Sequence, residues 1–75
     1  MSISELGMQL NKMYSDAPTG EQVAHIHLFG IKYAEEIYRN HYTIKEIIRA
    51  SGINESYATE LSKGIKLSKY VLPKF

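Results

Sequence analysis

The chain has 75 residues, of which 44% are hydrophobic and 23% are charged, and it contains no cysteine. A chain of this length forms one hydrophobic core, so we expect a single domain over residues 1–75. The lack of cysteine excludes disulfides, thiolate metal sites and thiol nucleophiles. No apolar run approaches the roughly 18 residues that a membrane span needs, and no signal peptide is visible. We therefore expect a cytoplasmic protein without membrane contact.

The charges are divided unevenly along the chain, although the net charge is only +1. Residues 1–38 hold two basic and five acidic side chains, a net charge of −3. Residues 39–75 hold seven basic and three acidic side chains, a net charge of +4, and from Lys63 onward there is no acidic residue. A basic half indicates an anionic partner, although small domains also divide their charges unevenly without one.

The first predicted helix begins at a capping box, in which Ser2 is placed to accept from the backbone N–H of Glu5. Three apolar residues at helical spacing follow the box, and Asp16-Ala17-Pro18 ends the pattern. The sequence therefore predicts a helix over Ser4–Tyr14.

A second box, Thr19 to Gln22, predicts the longest helix, over Gly20–Arg39. Its apolar arc is broad and needs more than one neighbouring helix, which indicates a central position in a bundle. Gly30 on this arc costs about 1 kcal/mol relative to alanine, which indicates the close approach of another helix. Leu28 falls on the polar side of the helix. It is either a single exposed leucine, which is normal, or a contact for self-association. The predicted arc comprises Val23, Ile26, His27, Gly30, Tyr33, Ala34 and Ile37.

Two short helices complete the predicted fold. A third capping box, Thr43 to Glu46, begins a helix over Ile44–Ser51. Asn54 is a good N-cap for a helix over Glu55–Lys63, with Gly64 as its C′ glycine. Residues 65–75 are too short for a two-stranded wing, and their pattern fits either an extended segment or one helical turn. The prediction is an all-α fold, a small compact bundle of four helices that contains a helix-turn-helix and no wing.

Residues suited to catalysis or metal binding do not cluster in the sequence. His25 and His27 point about 200° apart around a helix, and His41 lies in a linker, so they cannot chelate one metal from the same helix. His27 is interpreted as a core or boundary histidine with a backbone partner. Glu35 is best explained as the i,i+4 partner of Arg39. We expect a protein that is not an enzyme, with no catalytic residue, metal or cofactor.

The informative segment spans residues 43–64, two short helices joined by a glycine turn. Gly52 permits the backbone of the turn, Ile53 fills the angle between the helices, and the small Ala58 lets them cross closely. This segment resembles the helix-turn-helix families, including the small repressor-like domains. The match rests on Ile47, Gly52, Ile53, Ala58 and Leu61 at the expected offsets.

The segment departs from those families at Ile48, where alanine is usual, and at Ser51, where an apolar residue is usual. The whole chain also resembles small bacterial proteins described as helix-turn-helix-like, with Ile26 to Ala34 as a second signature. This broader resemblance implies a fold and no particular activity.

The resemblance implies that the helix from Asn54 to Lys63 is a recognition helix in the major groove of double-stranded DNA. The DNA-binding residues would be Asn54 at its start, Glu55, Ser56, Thr59 and Lys63 at bases, and Lys45, Arg49, Lys66 and Lys69 at phosphates. Glu60 would lie on the flank of this face. A single copy makes few phosphate contacts, so useful affinity requires a dimer.

Two functions remain open at this point. One is a small bacterial regulator that binds DNA as a dimer. The other is a protein-interaction or oligomerisation module that uses the helix-turn-helix scaffold without binding DNA. Six tyrosines favour an interface, although Tyr14, Tyr33 and Tyr57 lie on apolar faces where core positions are expected.

Overall fold

Residues 1–74 are described by the computed structural model, and Phe75 of the predicted domain lies outside them. The elements are α1 (Ile3–Asp16), α2 (Gln22–Arg39), α3 (Ile44–Ser51), a 3-10 turn (Glu55–Tyr57) and α4 (Ala58–Leu67). No strand occurs within the described part of the chain, so the predicted all-α, four-helix fold without a wing is confirmed. None of these helices has the length and apolar character to cross a membrane.

Two of the three predicted capping boxes are formed. At the start of α1, the backbone N–H of Glu5 donates to Ser2 Oγ at 3.1 Å, and Glu5 Oε1 accepts from the Ser2 backbone at 2.8 Å. Thr43 and Glu46 make the same reciprocal pair at the start of α3. The backbone N–H groups of Ser2 and Thr43 are the main cause that lowers the pKa of each glutamate carboxyl. These boxes satisfy backbone donors that the first helical turn leaves without partners.

The predicted box at Thr19 to Gln22 does not form, and the predicted helix start at Gly20 is wrong. The backbone N–H of Glu21 donates to the carbonyl of Pro18 at 2.9 Å, which closes a tight turn. Gly20 takes a φ of +86° inside this turn, a conformation that excludes it from a helix. Helix α2 therefore begins at Gln22, and no side chain caps it. Val23, predicted on the buried arc, is exposed.

Helix α4 continues through Gly64 to Leu67, so the prediction that Gly64 is a C′ glycine is wrong. Gly64 instead lies at the crossing of α2 and α4. A Cβ atom at Gly64 would stand 2.6 Å from the carbonyl oxygen of His27, and one at Gly30 would stand 2.7 Å from the backbone nitrogen of Ile65. The close approach predicted at Gly30 is confirmed, and it requires a glycine on both helices.

The bundle consists of two closely packed helix pairs, α1 with α3 and α2 with α4, joined by contacts of α1 with α2 and of α3 with α4. Helix α2 thus packs against two neighbours, as predicted from its broad apolar arc. The first pair also approaches closely, because a Cβ atom at Gly7 would stand 2.5 Å from the Ala50 side chain. The buried apolar core is made of Leu6, Leu10, Ile26, Phe29, Ala34, Ile37, Ile47, Ile48, Leu61 and Ile65.

Candidate functional site

A three-residue connection, Gly52 to Asn54, joins α3 to the 3-10 turn that leads into α4. Gly52 has a φ of +77°, and its N–H donates to the carbonyls of Ile48 and Arg49 at 3.2 and 3.3 Å. This left-handed residue ends α3 as predicted. Asn54 Oδ1 accepts from the backbone N–H of Ser56 at 2.8 Å, so the predicted cap forms, and it caps the 3-10 turn that leads into α4.

Ser51, where related turns carry an apolar residue, holds this turn from the inside. It is buried, and its Oγ donates to the carbonyl of Ile48 at 2.6 Å and accepts from the backbone N–H of Ile53 at 3.2 Å. Asn11 of α1 donates from Nδ2 to the carbonyl of Ser51 at 2.9 Å. The buried hydroxyl is therefore satisfied, and the turn is tied to α1 by a side chain that the sequence did not point to.

Helix α4 has a buried side and an exposed side. Its buried residues are Leu61, Gly64 and Ile65. At 100° per residue, Thr59, Lys63 and Lys66 fall within about 60° of one another on the opposite side. All three are exposed. We call these three residues the basic stripe.

Two further predicted residues lie on the exposed side of α3. Lys45 and Arg49 are one helical turn apart and both are exposed. Lys45 also lines a cavity of about 240 Å³ together with Ile48, Glu55 and Ala58. The structure therefore brings Lys45 of α3 close to the 3-10 turn that precedes α4.

Glu60 lies half-buried on the flank of the exposed side, as predicted, and its carboxylate is bound from both sides. Its Oε1 accepts from His27 Nε2 at 2.8 Å, and its Oε2 lies 3.4 Å from Lys63 Nζ. The hydrogen bond from His27 is the main cause that holds the pKa of the Glu60 carboxyl below its usual value of 4.5, and Lys63 adds to it. The backbone partner predicted for His27 is wrong, because its ring binds this carboxylate. The negative charge is consequently held at the contact between α2 and α4.

All nine residues predicted to contact DNA are exposed: Asn54, Glu55, Ser56, Thr59, Lys63, Lys45, Arg49, Lys66 and Lys69. Their local structure differs from the prediction in two respects. Glu55 and Ser56 lie in the 3-10 turn and not in an α-helix. Lys69 follows the end of α4 and lines a groove against α2, away from the basic stripe.

The three histidines lie at separate places in the fold. His25 Nδ1 lies 3.0 Å from the carbonyl oxygen of Glu21, and His27 binds Glu60. His41 has a φ of +58° in the connection between α2 and α3. Across residues 1–74, no three side chains of the His, Asp or Glu type come close enough together to hold a metal ion.

Comparison with protein-family models places the chain in a family. A family model described as an HTH-like domain matches residues 2–74 of the chain. No curated protein matches the chain, and no solved structure does so. The matched range covers all four helices and both close helix pairs.

Proposed function

The chain belongs to the HTH-like domain family, and from that premise we propose that it is a small bacterial regulator that binds double-stranded DNA. In this proposal α4 enters the major groove, α3 crosses the phosphate backbone, and two copies act together as a dimer. The role is binding alone, with no catalytic step, metal or cofactor assigned.

The observation that supports the proposal most directly is the basic stripe, which directly follows a helix-turn-helix connection. Thr59, Lys63 and Lys66 point away from the core on the helix that this fold class inserts into DNA. Lys66 makes no ion pair within residues 1–74, so its charge is available to a phosphate. Lys63 is partly neutralised by Glu60 at 3.4 Å. Lys66 should therefore contribute more than Lys63 to phosphate binding.

The residues at the start of α4 would supply base contacts. Glu55 and Ser56 occupy the 3-10 turn, at the end of the recognition element that reaches deepest into the groove. A glutamate accepts from a cytosine amino group, and a serine or threonine hydroxyl serves any base. Asn54 uses its side-chain oxygen in the cap, so its role in DNA binding would be to set the position of these neighbours.

The salt dependence of duplex binding tests this proposal. Neutralising a phosphate releases counterions, so the affinity should fall steeply as salt rises. Lys66→Ala should reduce the slope of log K against log salt by about 1, and Lys63→Ala should reduce it less. Lys12→Ala is the matched control, because Lys12 is an exposed lysine on α1, outside the proposed face. Absence of duplex binding at low salt would overturn the proposal in favour of a protein-interaction module.

A further inference from the structure

The surface beyond the basic stripe carries an unusual group of apolar side chains near the end of the chain. After α4 the chain turns, with the N–H of Tyr70 donating to the carbonyl of Leu67 at 2.9 Å. Tyr70 is then 81% exposed and Leu72 is 90% exposed. Side chains so large and so exposed, grouped within one short segment, indicate an interaction site more than scattered surface residues do.

This segment forms two grooves with the outer side of α2. The larger groove has a volume of about 430 Å³, and the smaller one, of about 260 Å³, shares Ile31 and residues 71–73 with it. On α2 the lining residues Leu28, Ile31, Glu35 and Tyr38 follow one another at three- and four-residue spacing, so they form one stripe of the helix. We call the α2 stripe together with residues 67–74 the C-terminal face.

We propose that the C-terminal face binds a second copy of this chain in a two-fold dimer. The inference deepens the proposed function, on which its biological role rests, because it gives the dimer contact a place, at the C-terminal end of α4 and one helical turn beyond Lys63 and Lys66. In a two-fold interface the same patch meets itself, so the patch must carry both a projecting group and a recess that accepts it. The C-terminal face has both.

Tyr70 is the projecting group. It does not line either groove of its own chain, and most of its side chain is exposed to solvent. A recess of about 430 Å³ falls within the size range of pockets that hold small organic molecules, so it can accept an aromatic ring. Tyrosine is enriched at protein interfaces, since it buries apolar area while its hydroxyl remains hydrated.

The charges beside the larger groove also fit a second copy. Lys32, Glu35 and Lys69 line it, and neither Glu35 nor Lys69 forms an ion pair within residues 1–74. The predicted Glu35–Arg39 pair does not form, because Arg39 binds Glu36 at 3.3 Å. The lining therefore carries both signs of charge, and a second copy of the chain brings both signs to it. Across a two-fold axis, Glu35 of each copy would face Lys69 of the other, giving two equivalent pairs.

The area required is compatible with a molecule of this size. A stable interface buries about 800 Å² on each partner, which is about one-sixth of the 4826 Å² accessible surface of the chain. One face of the molecule can supply that area.

Sedimentation equilibrium of the full chain, without DNA, tests the inference. We expect a monomer–dimer equilibrium, with Tyr70→Ala raising the dissociation constant about thirtyfold, as for a central aromatic at an interface. Met8→Ala is the matched control, because Met8 is 66% exposed and lies on α1, outside the C-terminal face. A monomer at every concentration, or equal effects of the two substitutions, would overturn the inference.

Charge-reversal variants add a second test, because non-specific association through apolar surface would not give the result expected from specific charge pairs. Glu35→Lys should weaken the dimer by placing like charges together, and Lys69→Glu should do the same. The double variant should restore the dimer, whereas no restoration would contradict the proposed pairing. Thermal melts should show that all three variants fold. Because the measurement contains no DNA, a dimer without duplex binding would sustain this inference and refute the proposed function. A monomer that binds duplex would refute this inference and leave only the DNA-binding part of the proposed function standing.

Discussion

His27 and Glu60 join the middle of α2 to the first turn of α4, with Nε2 and Oε1 separated by 2.8 Å. The contact lies beside the place where Gly64 packs against the backbone of His27. Helix α4 is therefore fixed on α2 by a polar bond and by backbone packing at the same point. The second carboxylate oxygen reaches Lys63, so the contact also sets the charge of the basic stripe.

The Glu60 contact predicts a specific pH dependence of stability. The pKa of the Glu60 carboxyl lies below its usual value of 4.5 in the folded chain, chiefly because of His27. The folded state therefore favours the ionised carboxylate, and this contribution is complete above pH 4.5 and is lost as the pH falls through the folded pKa. Relative to the parent chain, Glu60→Gln should be less stable at neutral pH, and the difference should shrink in acid.

Urea unfolding at a series of pH values measures this difference. The control is the same substitution in a His27→Ala background, where most of the pH-dependent difference should disappear because the main partner is gone. A Glu60→Gln effect that is unchanged in that background would show that His27 does not cause the shift.

At the α2–α4 crossing, replacing either glycine by alanine should lower the stability, whereas the same substitution elsewhere in a helix raises it. In a solvent-exposed helix interior, Gly→Ala stabilises by about 1 kcal/mol. At Gly64 the new methyl group would meet the His27 backbone at 2.6 Å, and at Gly30 it would meet the backbone of α4. Each substitution should instead destabilise by about 1–3 kcal/mol, as overpacking does. Denaturant unfolding decides the sign, and a stabilised Gly64→Ala variant would mean that α4 does not cross α2 here.

Among substitutions on α4, we expect Leu61→Ala to cause the largest loss of stability. It is fully buried, so Leu61→Ala should cost about 2–5 kcal/mol, a large share of what so small a domain possesses. Leu67→Ala on the same helix is the control, because Leu67 is 40% exposed. Thermal melts compare the two. Similar small shifts for both variants would show that the assigned register of α4 is wrong.

Removing the charge of either glutamate near the basic stripe should change DNA binding, and the change should differ between Glu55 and Glu60. Glu55 is exposed in the 3-10 turn, so Glu55→Gln should change sequence preference if its carboxylate reads a cytosine. Glu60→Gln should modestly strengthen non-specific binding, because it releases Lys63 and removes a like charge near phosphates. Fluorescence anisotropy with two duplexes of different sequence separates these effects. A folded Glu60→Gln variant with weaker DNA affinity would contradict this assignment.

Local signals predicted the parts of the fold that neighbouring residues determine. The boxes at Ser2 and Thr43 and the left-handed Gly52 are each decided within four residues, and each forms as expected. The capping box predicted at Thr19 does not form, because the same few residues can also form a tight turn. That turn, closed by the carbonyl of Pro18, forms in place of the cap.

The remaining features depend on contacts between distant residues. Gly64 has the local pattern of a helix end, but packing against α2 keeps the chain helical for three more residues. His27 and Glu60 are 33 positions apart, so helical periodicity could place each on its own helix but could not pair them. The same limit applies to Lys69. The charge pattern grouped it with Lys66, whereas in the structure it lines a groove that α2 also lines.

The central claim, that DNA is bound by the basic stripe and the 3-10 turn before it, is tested most directly by an NMR titration. Amide spectra of the whole chain would be recorded at low salt while a short duplex is added. The account predicts shift changes concentrated at residues 55–66 and at Lys45 and Arg49, with little change at Met8 and Lys12 on the outer side of α1. Changes confined to α1 or to the C-terminal face, or none at all, would contradict it.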